Sequence, residues 1–334
     1  MRVLVTGNLG YVGAHLTELL LNSGHNVIGW DLNFFPQSVC APMPLIERQL
    51  IADFRTIEEE DLVGIDAIVH LAALSNDPLG SLDPGLTMNI NGVGTVEFAR
   101  KAKNAGVEKF IFSSSCSIYG VSGSLPVTEN DKVDPKSEYA KSKVFAEFGI
   151  SKLADSHFEV YILRNATAFG ISPVFRSDLV VNDLCASLVA TGEAEVHSQE
   201  DTWRPLINCM DMARAFQLFV EQGARELSGK PVNVGFTQEN FQLKDIRRLI
   251  ELSFKGLTIK QRQNTVIDPR NYRVDFKLLE KTFPEFKANF PLSKSIEPLK
   301  KELQRIGYDA NSRESKKYVR LTELTPNLHL LTSL

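Results

Sequence analysis

No stretch of this 334-residue chain approaches the roughly 20 consecutive apolar residues that a membrane helix needs. Charge of one sign is not in excess either. With 37 Lys and Arg against 41 Asp and Glu, the formal net charge of −4 lacks the basic field of a dedicated nucleic-acid binder. It leaves room for small acidic ligands, because a few local arginines suffice for one diphosphate. Cysteine is scarce. Cys40, Cys116, Cys185 and Cys209 lie far apart without CxxC or Cys/His ligand spacing, and the six histidines form no HExxH. A zinc site is therefore not expected, and the thiols are expected to be free. The opening "MRVLVTGNLG" has too short an apolar run for a signal peptide and passes straight into a glycine turn. The expectation is a cytoplasmic protein with no membrane or nucleic-acid partner.

What is present is an alternation. "RVLVTG" (2–7), "HNVIGWD" (25–31), "DAIVHLAA" (66–73), "KFIFSSS" (109–115) and "EVYILRNA" (159–166) read as buried strands. Helical segments at 12–24, near 86–105 and at 137–153 separate several of them. Strands alternating with helices predict parallel pairing and right-handed crossovers, hence a doubly wound α/β sheet of Rossmann type. The second half is less regular. It predicts helices at 175–192, 242–254 and 294–306, a loop, short strand and helix across 202–223, and a strand at 231–236. The division expected is a dinucleotide-binding domain over 1–166, with parts of 206–236 returning to it. A smaller substrate-binding lobe follows over 167–320, then a tail at 321–334. The mixed polarity of 309–334 leaves packing and fraying both open.

"TGNLGYVG" sets Gly7, Gly10 and Gly13 between the first strand and the first helix. Such a turn lets backbone approach a pyrophosphate, and the helix N-terminus offers unpaired N–H groups. The spacing is GxxGxxG rather than GxGxxG, and a tight βα turn alone also accounts for it. Asp31 closes the second strand. A carboxylate there can accept both ribose hydroxyls and repels a 2′-phosphate, favouring NAD over NADP, or it simply forms a turn. Asp53 can meet an adenine amino group or cap the helix that follows it.

In "SEYAKSK", Tyr139 and Lys143 stand four apart on one helical face. An ammonium beside a phenol favours the phenolate, as does an oxidised nicotinamide, and together they make Tyr139 a usable general base. Ser115 ends a strand, and ligands gather at the carboxyl ends of strands in such sheets. Its hydroxyl can hold a reacting sugar oxygen beside Tyr139, or Ser113, Ser114 and Ser115 simply cap a loop.

In order along the chain, "TGNLGYVG", "HLAA" (70–73), "INGVGT" (90–95), "SSSCSIYG", "YAKSK" and "LRNATAFG" (163–170) resemble segments of the extended short-chain dehydrogenase/reductases, specifically their nucleotide-sugar epimerase and dehydratase group. The resemblance covers about residues 1–240 and continues more loosely to about 308. It implies an enzyme using NAD on a nucleotide-diphosphate sugar. Ser115, Tyr139 and Lys143 match the family's catalytic Ser, Tyr and Lys. Gly7, Leu9, Gly10, Tyr11, Val12, Gly13, Asp31, Asp53 and Phe54 match cofactor-contact positions. Leu71, Ala72, Ala73, Asn91 and Ser113 match the segments alongside the cofactor, with His70 structural. On the substrate side the matches are Ser75, Ser117, Asn165, Thr167, Arg204 and Arg270. The two arginines are read as diphosphate contacts or surface ion-pair residues, and Trp203 as a ring cover or a core filler.

The family's 4,6-dehydratases carry an Asp-Glu pair just after the serine or threonine. Cys116 and Ser117 occupy those positions here, and neither replaces a carboxylic acid and its base. The expected reaction is therefore C4 epimerisation through a 4-keto sugar. A 4-keto-sugar reductase uses the same three residues, although Asp31 weighs against NADPH. Cys116 leaves open a dehydratase or a C3 or C5 epimerase, against the ordinary reading of a buried cysteine as core packing. A non-enzymatic NAD-binding sensor or scaffold is the remaining alternative. A homodimer is expected through helices 86–105 and 137–153, with Val144 and Phe148 either supplying its apolar contacts or facing the chain's own core.

Overall fold

The computed structural model describes residues 1–75, 77–123, 125–262, 270–327 and 329–332. The first half lays down strands β1 (Arg2–Thr6), β2 (Asn26–Asp31), β3 (Arg48–Ile51), β4 (Ala67–His70), β5 (Lys109–Ser115) and β6 (Glu159–Asn165). Its helices are α1 (Gly13–Asn22), α2 (Asp77–Leu82), α3 (Pro84–Thr87), α4 (Thr95–Asn104) and α5 (Glu138–Ser151). The second half supplies β7 (Thr167–Phe169), α6 (Val180–Thr191), β8 (Glu193–Val196), β9 (Trp203–Asn208), α7 (Cys209–Glu221) and β10 (Pro231–Val234). Then come β11 (Asn240–Gln242), α8 (Leu243–Ser253), β12 (Thr258–Gln261), α9 (Lys277–Thr282), α10 (Leu292–Arg305), α11 (Ala310–Glu314), α12 (Arg320–Leu324) and α13 (His329–Thr332).

Seven strands form one parallel sheet in the order β10-β6-β5-β4-β1-β2-β3. The near-continuous apolar runs of β1, β4 and β5 follow from burial on both faces of such a sheet. This is a Rossmann-type fold, and it brings residues 231–234 back beside β6. Strand order reverses between β1 and β4, so a crevice opens above their carboxyl ends. Two small sheets, β11-β9-β7 and β12-β8, stand on that side of the second half. Their core, built on Phe169, Phe175, Leu184, Ile246 and Leu299, is separate from the two cores flanking the large sheet.

One expectation needs correction. The helix expected over 175–192 begins only at Val180, because Leu179 is extended and Arg176 and Asp178 are tied in an ion pair at 2.9 Å. The helix expected near 86–105 passes through a wide π-helical stretch, Met88–Gly94, before α4. On α5, Val144 packs partly buried against the core, while Phe145 and Phe148 are exposed at 47% and 66%. Residues 309–327 and 329–332 pack rather than fray: Tyr318, Arg320, Leu324 and Leu331 are buried.

Candidate active site

A cavity of about 650 Å³ occupies the crevice. At one end is the turn between β1 and α1. Gly7 has φ +77°, and a Cβ there would lie 2.8 Å from the Ala72 amide nitrogen. A Cβ on Gly13 would lie 2.1 Å from the Gly7 carbonyl oxygen. The turn thus closes only with bare backbone, which leaves the α1 N-terminus open to the cavity. Asp31 ends β2 beside it. Its carboxylate accepts the Leu9 N–H at 3.1 Å and the Asn33 N–H at 2.7 Å. Burial still raises its pKa. Leu9 therefore acts by aiming Asp31.

Asp53 takes the capping role that its sequence context allowed. It accepts the Arg55 N–H at 2.8 Å as a cap, pairs with the Arg55 guanidinium at 2.8 Å, and lines the cavity beside Phe54. Leu71, Ala72, Ala73 and Ser75 run along the floor after β4. Asn91 is corrected to a positioning role. It is fully buried, accepting the Leu74 N–H at 2.9 Å and donating to the Leu74 carbonyl at 3.1 Å, which fixes that floor. His70 is buried among Phe54, Phe98 and Phe112 and bonded to Thr6 and Thr95. Burial pulls its pKa well down, so it stays neutral.

At the centre, Ser115 ends β5, and Tyr139 and Lys143 stand one turn apart on α5, all three lining the cavity. Ser137 starts that helix by accepting the Ala140 N–H at 3.1 Å. Lys143 is buried. Its Nζ donates to the Ser113 carbonyl at 2.8 Å and lies 5.7 Å from the centre of the Tyr139 ring. Burial lowers its pKa to about 7, with Glu147 opposing. Behind them Glu147 pairs with Arg164 at 2.7 Å and accepts the Ser114 hydroxyl, locking α5 onto β5 and β6. The Ser115 hydroxyl donates to Ser117 Oγ at 2.9 Å and accepts the Ser117 N–H at 3.1 Å.

Cys116 is the second correction. It is fully buried, its thiol donates to the Arg164 carbonyl at 3.1 Å, and burial pushes its pKa well up. A thiol held in the core cannot exchange protons with a sugar in the cavity. Asn165 and Thr167 do reach the cavity. The Asn165 amide donates to Ser113 Oγ and the Ser114 carbonyl, while its Oδ1 is buried without a hydrogen-bond partner. Arg204 and Arg270 line the far end, where Arg204 also donates to the Arg270 carbonyl. Trp203 lies under the Arg273 guanidinium, 4.8 Å away.

Three cavity groups carried no usable sequence signal. Arg176, in "SPVFRSD", looked like part of a helix. His197 follows β8, and Arg320 returns from the far C-terminus. Among the described residues, no cluster of three His, Cys, Asp or Glu could hold a metal, and no helix is long and apolar enough to cross a membrane.

The glycine cradle, the carboxylate at the end of β2 and the open α1 N-terminus fit a dinucleotide. Comparison with known proteins agrees. A family profile described as the NAD dependent epimerase/dehydratase family matches residues 3–235. The UDP-glucose 4-epimerase of Bacillus subtilis is 29% identical over 52% of this chain and 54% of its own length. That of Mycolicibacterium smegmatis is 35% identical over 44% and 49%. The matches thus span about half the length of these curated relatives. The solved structure of an NAD-dependent NDP-hexosamine 5,6-dehydratase, TunA, of tunicamycin biosynthesis is 25% identical with a TM-score of 0.79, covering 91% of this chain and 98% of that one. With its cofactor turn, its Tyr/Lys helix and most of the parallel sheet inside the matched span, this chain belongs to the NAD-dependent epimerase/dehydratase family.

Proposed function

We propose that this protein is a nucleotide-sugar 4-epimerase, binding the dinucleotide with 1–166 and the returning parts of 206–236, and the nucleotide sugar with 167–320. NAD, held by the β1–α1 glycine turn and Asp31, would supply the hydride acceptor and donor that inversion at the sugar's C4 needs. The chain's residues do the rest. Tyr139 removes the C4 hydroxyl proton and later gives it back. Lys143, with its pKa pulled down to about 7, places an amine that readily gains and loses its proton beside the phenol, and Ser115 steadies the same sugar oxygen. Arg204 and Arg270 supply cationic groups for the diphosphate, and Asn165 Oδ1, buried and unpaired, is set to accept from a sugar hydroxyl. The observation that carries this reading is the pair of residues after Ser115. Cys116 is sealed in the core and Ser117 is a hydroxyl, so the acid–base pair that elimination requires is missing while the redox trio is intact. The curated relatives named as UDP-glucose 4-epimerases support it. A homodimer through α4 and α5 completes the reading, with Phe145 and Phe148 as its exposed apolar contacts.

The test is incubation with a panel of nucleotide sugars in deuterated water. Inversion at C4 with every carbon-bound hydrogen retained is expected, and Tyr139→Phe should lower the rate about 10²- to 10⁴-fold while NAD still binds. Deuterium at C5 would mean elimination or C5 epimerisation and overturn the assignment. Undiminished turnover in Tyr139→Phe would overturn the mechanism.

A further inference from the structure

Arg320 is the group that the reading above leaves unused. It starts α12, is 2% exposed, and lines the same cavity as the glycine turn and Tyr139. Its guanidinium lies 3.7 Å from the centre of the Phe35 ring, and its Nη1 is buried without a hydrogen-bond partner. Its charged neighbours are Arg176, Glu323, Asp178 and Asp31. Asp178 pairs with Arg176, Glu323 accepts the Ser38 hydroxyl through Oε1, and Asp31 accepts the Leu9 and Asn33 amides. Arg176 in turn lies within electrostatic reach of Tyr11 and Tyr139. Two buried guanidiniums, those of Arg176 and Arg320, therefore line the cavity that also holds the glycine turn, Asp31 and Tyr139. A buried guanidinium N–H left without an acceptor is costly unless a ligand supplies one, and Arg320 Nη1 is such a donor in the wall of this cavity. The stretch of a dinucleotide between its two ribosides is its diphosphate.

The segment that carries Arg320 is fastened at several points. The Ser177 N–H donates to the Tyr318 carbonyl at 3.0 Å, Arg313 pairs with Asp183 at 2.9 Å, and Arg55 donates to the Leu331 carbonyl at 2.9 Å. Val319, Leu321, Leu324 and Leu331 wall the cavity beside Phe34 and Phe35.

We propose that residues 309–327 and 329–332 form a strap over the dinucleotide site, and that Arg320 on it binds the dinucleotide's diphosphate together with Arg176. The assignment rests on the cavity being a dinucleotide site, not on which sugar reaction occurs there. Guanidinium groups suit this ligand because their planar fork meets phosphate oxygens in pairs. Asp31 opposes the other phosphate source, the 2′-phosphate of NADP.

The experiment measures NAD, NADP, ADP-ribose and adenosine binding by calorimetry on the full chain and on Arg320→Gln, with Arg320→Lys as the milder variant. Arg320→Gln should weaken NAD and ADP-ribose about ten- to a hundredfold and leave adenosine within about twofold; Arg320→Lys should fall between it and the parent. Unchanged NAD affinity, or an equal loss for adenosine, overturns the assignment. A loss confined to NADP overturns it in favour of the 2′-phosphate. Failure of the unaltered chain to bind NAD at all would instead sink the dinucleotide reading. Trypsin supplies an arm that needs no variant, since Lys316 and Lys317 are exposed on the strap. NAD and ADP-ribose should slow cleavage there and adenosine should not. Cleavage indifferent to NAD refutes the strap.

Discussion

Lys143 is held at a cost to folding that can be measured. Burial pulls its ammonium from 10.5 to about 7. At about 1.4 kcal/mol per pH unit this is about 5 kcal/mol lost from stability below pH 7. Between pH 7 and 10.5 the unfolded chain binds a proton that the folded chain has released, so stability rises with pH across that window. Lys143→Met keeps most of the stem and removes the charge. At pH 7 the relief is about 4 kcal/mol, against about 2 kcal/mol for leaving the Ser113 carbonyl unpaired. The variant should therefore be about 2 kcal/mol more stable at pH 7, while losing turnover. At pH 10 the relief shrinks to about 1 kcal/mol, and the variant should be about 1 kcal/mol less stable than the parent. Urea unfolding of cofactor-free protein at both pH values, followed by circular dichroism, reads the difference. A variant less stable at pH 7, or a stability difference that does not change with pH, refutes the reasoning.

Cys116→Ala should keep kcat within about twofold and cost about 1 kcal/mol in urea unfolding, because the thiol fills core and never meets substrate; a large fall in kcat would restore it to the chemistry. Glu147→Gln strands the buried Arg164 charge, so a loss of about 3–5 kcal/mol is expected; a loss under 1 kcal/mol would show that the pair does not hold α5 in place. Phe148→Asp with Phe145→Asp should convert a dimer to a monomer in light scattering at unchanged melting temperature. Dimers surviving both changes would place the interface elsewhere.

The central trio and the glycine turn were legible because their positions are local. Spacing along one strand end and one helix turn determines what Ser115, Tyr139 and Lys143 face. Asp53 was legible as a capping residue, and the structure sets that cap in the cavity wall, since an N-cap at the edge of the crevice also faces the crevice. Cys116 and Asn91 misled for one reason. Each neighbours cavity residues in sequence, yet at a strand end or in a helix adjacent side chains point to different faces. Cys116 therefore faces the core while Ser115 and Ser117 face the cavity, and Asn91 turns to Leu74 while Ile90 reaches the cavity wall. Arg176 and Arg320 were illegible because nothing local betrays them. An arginine in a polar C-terminal stretch looks solvated until the chain folds it back onto Phe35.

That return bears on the reaction itself. A 4-epimerase restores its cofactor to the starting oxidation state in every cycle, so the cofactor never has to leave. A reductase must exchange it once per turnover, and a strap fastened to Ser177, Asp183 and Arg55 would have to release each time. An enclosed dinucleotide therefore belongs with redox-neutral chemistry. The two cases separate cleanly when enzyme loaded with unlabelled NAD turns over in excess radiolabelled NAD. Epimerisation should proceed for many cycles while almost no label enters the protein. Label entering at about one equivalent per turnover would show that the site opens every cycle, and would count against both the strap and the epimerase at once.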